Sequence, residues 1–412
     1  MQAKSAPGTA AVRMTPGERR ATAGLAGIYG LRMLGMFIIL PVFALYAETL
    51  PGGTDKTLVG IALGAYGLTQ ALLQVPFGWA SDRYGRKRAI VSGLLLFALG
   101  SFVAAWAPDI VWTIVGRALQ GAGAVSAAVL ALTADLTRDS VRTTAMAVIG
   151  MTIGATFALS LIAGPVLKVW IGVPGIFAMT GVLALAAIAA LRWAVPDVAT
   201  PASAPADSGV SAFRRVAADG QLARLNYGIF ALHALLMALF VQVPFELRDA
   251  GLAGEAHWKV YLPVIVGSAV LMWPALRYAD RPVRSKAVFV VAVAVLALGQ
   301  AVLAVAGARL WPLIAGLVVF FTAFNLLEAV LPSLVSKYAP RALKGTAVGV
   351  YSSVQFLGTF VGAAAGGWLA QHSGPAAVFG FGIVLTLLWL AASATMTPPP
   401  ALRPGNYSMG ET

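Results

Sequence analysis

Cysteine is absent from the 412-residue chain and histidine occurs three times, which excludes disulfides and clustered thiolate or imidazole metal sites. Charge is scarce as well, at 11% of residues, against 59% hydrophobic ones and a mean hydropathy of +0.83. A soluble core cannot hide that much apolar surface, so the composition is that of a polytopic membrane protein. No phosphate-cradling GxxxxGK[ST] loop is present, which removes nucleotide hydrolysis as an energy source. The net charge of +13 is spread over short loops, where it meets anionic lipid headgroups; a nucleic-acid partner is not expected. Neither a cofactor nor a metal is expected.

Twelve apolar stretches can be counted: 22–46, 57–80, 89–107, 109–134, 144–168, 172–194, 223–247, 257–279, 287–306, 310–336, 343–370 and 374–396. Each is long enough to span a bilayer as a helix. Runs such as "IVSGLLLFALGSFVAAW" lack the alternation of transmembrane strands, so the fold class is all-α and a barrel is excluded. The segment before residue 22 has no apolar run of its own, and the first stretch is too long for a cleaved signal, so it is expected to stay as a helix. With both termini in the cytoplasm, five of the 29 basic residues fall outside (Lys56, Lys168, Arg248, Lys259, Arg309) and two in the membrane, which leaves 22 inside. That bias predicts the topology, because basic loops stay on the cytoplasmic side.

Ionisable residues lie well inside four stretches only: Arg32, Arg117, His233 and Glu328, in the first, fourth, seventh and tenth. A charge at mid-bilayer costs about 2.5 to 3.5 kcal/mol even on insertion scales, so it persists where it faces a partner or a water-filled cavity. The every-third spacing predicts repeated three-helix units around a polar pathway. Counted from the cytoplasmic ends, His233 and Glu328 sit at similar depth, roughly 12 to 14 Å, and could meet across a cavity. Burial favours the neutral forms of imidazole and carboxylic acid alike, which suits both to taking up and releasing a proton. Glu328 is the best candidate carrier, and Arg32, near the midplane, needs a partner or an anionic ligand. For each of the four a packing role is the alternative: a hydrogen-bonded acid, an imidazole on a carbonyl, an arginine tying helices together.

A polar Pro-, Ala- and Ser-rich run, "VPDVATPASAPADSGVSAFRRVAADG", divides the chain. The expected organisation is a tail at 1–21, a six-helix bundle at 22–194, a linker at 195–222, a second bundle at 223–396 and a tail at 397–412. The halves echo each other after their second stretches, "PFGWASDRYGRKR" at 76–88 and "PALRYADRPVRSK" at 274–286, with Pro76, Asp82, Arg83 and Arg86 matched by Pro274, Asp280, Arg281 and Arg284. Internal duplication explains the match.

"GWASDRYGRKR" resembles the signature loop G-x-x-x-D-R-x-G-R-R of the major facilitator superfamily, and "RALQGAG" at 117–123 resembles that superfamily's fourth-helix motif. From "LRMLGMF" through "HWKVYL", "LLEAVLPSL" and "KGTAVGVYSSVQFLG", nearly all of residues 20–396 is similar to YajR-type drug and proton antiporters. The resemblance implies two pseudo-symmetric bundles of inverted three-helix repeats, with the first, fourth, seventh and tenth helices lining a central cavity. It implies a part in proton coupling for Arg117. It also implies a conformational latch at Gly78, Asp82, Arg83, Gly85 and Arg86, joined by Asp135 and, in the outward-facing state, by the helix start at Gly345 and Thr346.

"GMTIGATFALSLIAGP" only partly resembles the antiporter motif G-x-x-x-G-P-x-x-G-G; its Gly150, Gly154, Gly164 and Pro165 equally serve close packing and a kink. Tyr66, Gln70, Gln74, Asn325, Tyr351 and Gln355 are candidates for the substrate cavity. "GAGAVS" at 121–126 has no strand before it and is expected to be helix packing rather than a dinucleotide loop. The expected activity is proton-coupled secondary transport of small amphiphilic solutes, as an efflux antiporter, in a bacterial-type inner membrane, by a monomer among lipids. A symporter or an uncoupled facilitator stays open as the alternative. A lipid-modifying enzyme lacks the grouped nucleophile and base it would need.

Overall fold

The computed structural model describes residues 14–196, 210–279, 282–340 and 343–397. Asp280 and Arg281 of the second loop copy, most of both tails, and residues 197–209 of the linker lie outside the described residues. The described chain is helical throughout: α1 (Pro16–Phe37), α2 (Leu40–Ala47), α3 (Lys56–Tyr84), α4 (Arg86–Ala105), α5 (Ile110–Ala122), α6 (Ser126–Asp135), α7 (Asp139–Ala194), α8 (Val210–Ala218), α9 (Gly220–Asp249), α10 (Trp258–Ala279), α11 (Pro282–Ala306), α12 (Leu310–Tyr338), α13 (Lys344–His372) and α14 (Pro375–Ala394).

Local sequence explains where these helices start. Thr15 and Glu18 form a reciprocal capping box ahead of α1. The side chains of Asp55, Asp109 and Asp219 accept from first-turn amides of α3, α5 and α9. Eleven apolar runs among the described residues are long enough to cross a membrane. The longest, Asp139–Trp193, folds back at Gly172, whose φ of 67° is open to glycine, so twelve passes result. Helical dihedrals run through Gly154, Gly164 and Pro165, and the break in α7 comes at Gly172.

Polarity is arranged for lipid. Trp106, Trp170, Trp193 and Trp311 stand 76 to 81% exposed near the ends of spans, where an aromatic belt sits, while Arg32, Arg117 and His233 are buried inside. The N-terminal half packs α1 on α7, α3 on α5, and α4 on α5 and α7; the C-terminal half packs α9 on α13, α10 on α12, and α11 on α12 and α14. The halves meet where α3 packs along α13, α2 against α9 and α7 against α10.

Candidate functional site

The meeting of α3 and α13 is close at one end only. A Cβ on Gly60 would strike the Ala363 carbonyl, one on Gly64 would come to 3.0 Å of the Phe360 carbonyl, and one on Gly67 to 2.7 Å of the Phe356 carbonyl. Glycines at i, i+4 and i+7 therefore let the two backbones touch. At the same end the Lys56 amide donates to Gln371 Oε1 at 2.9 Å, and Arg248 Nη1 donates to Glu48 Oε2 at 2.5 Å, both across the halves. Deeper in, Phe157 of α7 lies 6.1 to 6.4 Å, ring to ring, from Phe240, Phe321 and Phe324 of the other half.

Toward the signature loop the helices part. Gly345 and Gly349 precede Phe356 by eleven and seven residues, so they share the α13 face that touches α3 higher up. There a Cβ on either would meet nothing within 4 Å, and one on Gly78 of α3 would meet only Ala127. The space between the halves is thus closed at the Lys56 end and open at the loop end.

At the loop itself Gly85 (φ 101°) separates α3 from α4. Arg86 bonds Asp82, reaches Asp135 Oδ2 at 3.2 Å and donates to Ser81 Oγ at 2.9 Å. One guanidinium so ties the end of α3, the start of α4 and the end of α6. Arg83 turns outward, its Cζ 5.4 Å from the Trp79 ring centroid. Asp82 is bonded to Arg86 rather than to the start of α13. A second tie at this end had no sequence signal: Glu18 accepts from Arg138 N, Nε and Nη2 at 2.8 to 3.0 Å. Those bonds hold the Arg138 guanidinium charged to higher pH than usual.

Arg32 has the partners its depth demands. Nε donates to the Gly123 carbonyl at 3.2 Å, Nη1 to Ser126 Oγ at 3.1 Å and Nη2 to Gln70 Oε1, while Gln70 Nε2 donates to Gln74 Oε1 at 2.7 Å. The fourth span breaks at Gly123–Val125, between α5 and α6, so the Gly123 carbonyl lacks the i+4 helical bond; it accepts from Val125 N at 2.8 Å and has a lone pair left for Arg32. The expectation of an unbroken helix through "GAGAVS" is corrected there. Gly123 lies against the Gly93 carbonyl of α4, a contact that no side chain would permit. Arg117 donates to Gln120 Oε1 at 2.8 Å and to the Leu63 carbonyl at 3.4 Å, and Gln120 passes the chain on to Ser101 Oγ at 2.8 Å. Tyr66 lies beside both guanidiniums.

In the other half, His233 Nδ1 lies 3.3 Å from the Ile229 carbonyl and Nε2 lies 2.8 Å from Gln355 Nε2. Glu328 Oε2 is shielded and unbonded, as is the hydroxyl of nearby Tyr351. No hydrogen bond joins His233 to Glu328; the imidazole has the Gln355 amide instead. Asn325 donates to Ser268 Oγ at 3.0 Å and so ties α12 to α10. Among the described residues no cluster of His, Asp and Glu could hold a metal.

The model of the Major Facilitator Superfamily matches residues 25–362 and 251–410. The chain is 46% identical over 390 residues to the inner membrane transport protein YajR of Escherichia coli (strain K12), covering 94% of this chain and 86% of that one. It is 25% identical to the multidrug resistance protein MdtH of Aeromonas hydrophila, over 83% of this chain and 86% of that one. A solved D-xylose-proton symporter superposes with a TM-score of 0.69 at 16% identity, covering 90% of this chain and 96% of that one.

Proposed function

Because the chain belongs to the major facilitator superfamily, and so is a membrane transporter of small molecules rather than an enzyme, we propose that it is a proton-coupled efflux antiporter of small amphiphilic solutes working by alternating access. One observation carries the coupling: Glu328 is part-buried between the spans, and its Oε2 is shielded with no hydrogen-bond partner. An unpaired carboxylate is costly there, so the group holds a proton while shielded and gives it up where water arrives. His233, on the same half, relays through Gln355. Arg32 and Arg117 supply fixed positive charge in the opposite half.

The one-ended opening fits a rocking cycle in which the halves seal at the Lys56 end while the loop end admits solute. We assign the loop end and both termini to the cytoplasm on the distribution of basic residues, and the bundles to 22–194 and 223–396. Gly78, Asp82, Arg83, Gly85, Arg86 and Asp135 act as the latch that engages the start of α13 when the loop end shuts. The multidrug name of MdtH supports export. A proton crossing 100 mV gains about 2.3 kcal/mol, and one pH unit adds about 1.4, together enough for roughly 500-fold accumulation of a neutral solute.

The test is flux into proteoliposomes under an imposed pH gradient. Glu328→Gln should abolish proton-driven flux and retain solute exchange; gradient-driven flux at the wild-type rate in that variant removes Glu328 from the mechanism.

A further inference from the structure

One cluster in the N-terminal half is electrostatically incomplete. Tyr66 is 0% exposed, with Arg32 Cζ 5.6 Å and Arg117 Cζ 5.0 Å from its ring centroid; the two arginines are 2% and 1% exposed. Every hydrogen bond from either guanidinium ends on an uncharged oxygen: Gly123 O, Ser126 Oγ and the Gln70 amide for Arg32, Gln120 Oε1 and Leu63 O for Arg117. Neither forms an ion pair with a described residue. Two polar atoms remain shielded and unbonded, Arg117 Nε and Tyr66 Oη.

Two buried cations without an anion are expensive, and an aromatic face compensates only in part. Orphaned buried donors call for an acceptor. An oxyanion answers both demands, since its oxygens match the guanidinium fork and can also accept from the tyrosine hydroxyl. On the side of the open end the cluster is shielded by an amide pair, Gln70 at 0% and Gln74 at 4% exposure. Gln70 and Gln74 follow one another along α3 from Arg32 toward the open end, four residues apart and hydrogen bonded. An anion entering there meets the amide pair first and can displace Gln70 from Arg32. A cationic solute finds no carboxylate in this cluster, since Glu328 belongs to the other half.

We propose that Arg32, Tyr66 and Arg117 form an anion-binding site, and that the solutes carried bear a carboxylate, sulfonate or phosphate on a small apolar body. The binding half of this statement stands on the cluster alone, and the word "carried" rests on the transport reading above. An inside-negative potential of 100 mV would by itself expel a monovalent anion roughly 50-fold.

The experiment uses the full chain and three radiolabelled probes of one size: naphthalene sulfonate, naphthylmethanol and naphthyl-trimethylammonium. Equilibrium binding in detergent should favour the sulfonate over the ammonium by about tenfold, the effect of one charge-assisted hydrogen bond. Arg32→Gln and Arg117→Gln should each erase that preference while ammonium binding holds or improves. Tyr66→Phe keeps the ring and should cost a few-fold, which preserves a reading if an arginine variant fails to fold. Ammonium bound as tightly as sulfonate, sulfonate not bound by the wild type, or sulfonate affinity unchanged in Arg32→Gln each overturns the site. In proteoliposomes the two readings separate: sulfonate bound but never moved leaves the site and defeats transport, whereas ammonium moved against its gradient leaves transport and defeats the site.

Discussion

Arg248, in the last turn of α9, donates from Nη1 to Glu48 Oε2 at 2.5 Å and so fastens one half of the molecule to the other. Its side chain is 43% exposed and that of Glu48 37%, and pairs so wetted contribute about 0 to 1 kcal/mol. Glu48→Gln should therefore loosen closure at this end by no more than about fivefold. The natural absence of cysteine makes the measurement direct. Val241→Cys, at a position 0% exposed in α9, should react with an impermeant maleimide a few times faster when Glu48→Gln is added. An unchanged rate would mean that the pair is incidental.

The glycine seam between α3 and α13 should matter far more. Gly60 faces the Ala363 carbonyl and the Gly367 Cα, both backbone atoms that cannot swing aside. Gly60→Val should hold the halves apart at the Lys56 end, abolishing transport in a protein that still folds, with Val241→Cys now freely labelled. Gly362→Val presses on the Ala234 backbone within one half, so its expected effect is different: lost stability, read as early aggregation on heating.

These contrasts mark what a sequence can and cannot carry. The four ionisable residues inside the spans and the signature loop were legible because cost in lipid and loop position both leave a trace in one dimension. The partners of Arg32 were not, since a helix break at Gly123 leaves no mark in "GAGAVS" until α4 is packed against it at Gly93. Equal depth led to the expectation that His233 and Glu328 could meet, yet depth does not fix which way a helix is turned, and the imidazole bonds Gln355 instead. The seam of Gly60, Gly64 and Gly67 could have been read from its i, i+4, i+7 spacing. Glu18 and Arg138 are 120 residues apart with no pattern linking them.

At the signature loop, Arg86 serves three acceptors at once, which a planar fork does and an ammonium does not. Arg86→Lys should lower the transport rate several-fold with little change in solute affinity, because no cavity candidate touches it. Asp135→Asn removes the charge from a single 3.2 Å bond and should do less. Rate and affinity measured separately, by flux and by equilibrium binding, check both; a loss of affinity in Arg86→Lys would mean that the loop shapes the cavity itself.

His233 Nδ1 faces a carbonyl, that of Ile229, which can only accept, so the proton sits on Nδ1 and Nε2 is left to accept from the Gln355 amide. Adding a second proton would set donor against donor, and Gln355 would have to turn its oxygen inward. The amide is thus a mechanical reporter of the charge on His233, placed on the helix whose face opens toward the loop end. Nitrogen-15 spectra of the wild type should show His233 as the Nδ1–H tautomer. Gln355→Leu should shift the Nε2 resonance and slow proton-driven flux, while solute exchange continues. If the spectra show the proton on Nε2, or if Gln355→Leu leaves coupled flux untouched, the imidazole and amide are a packing pair and the coupling falls to Glu328 alone.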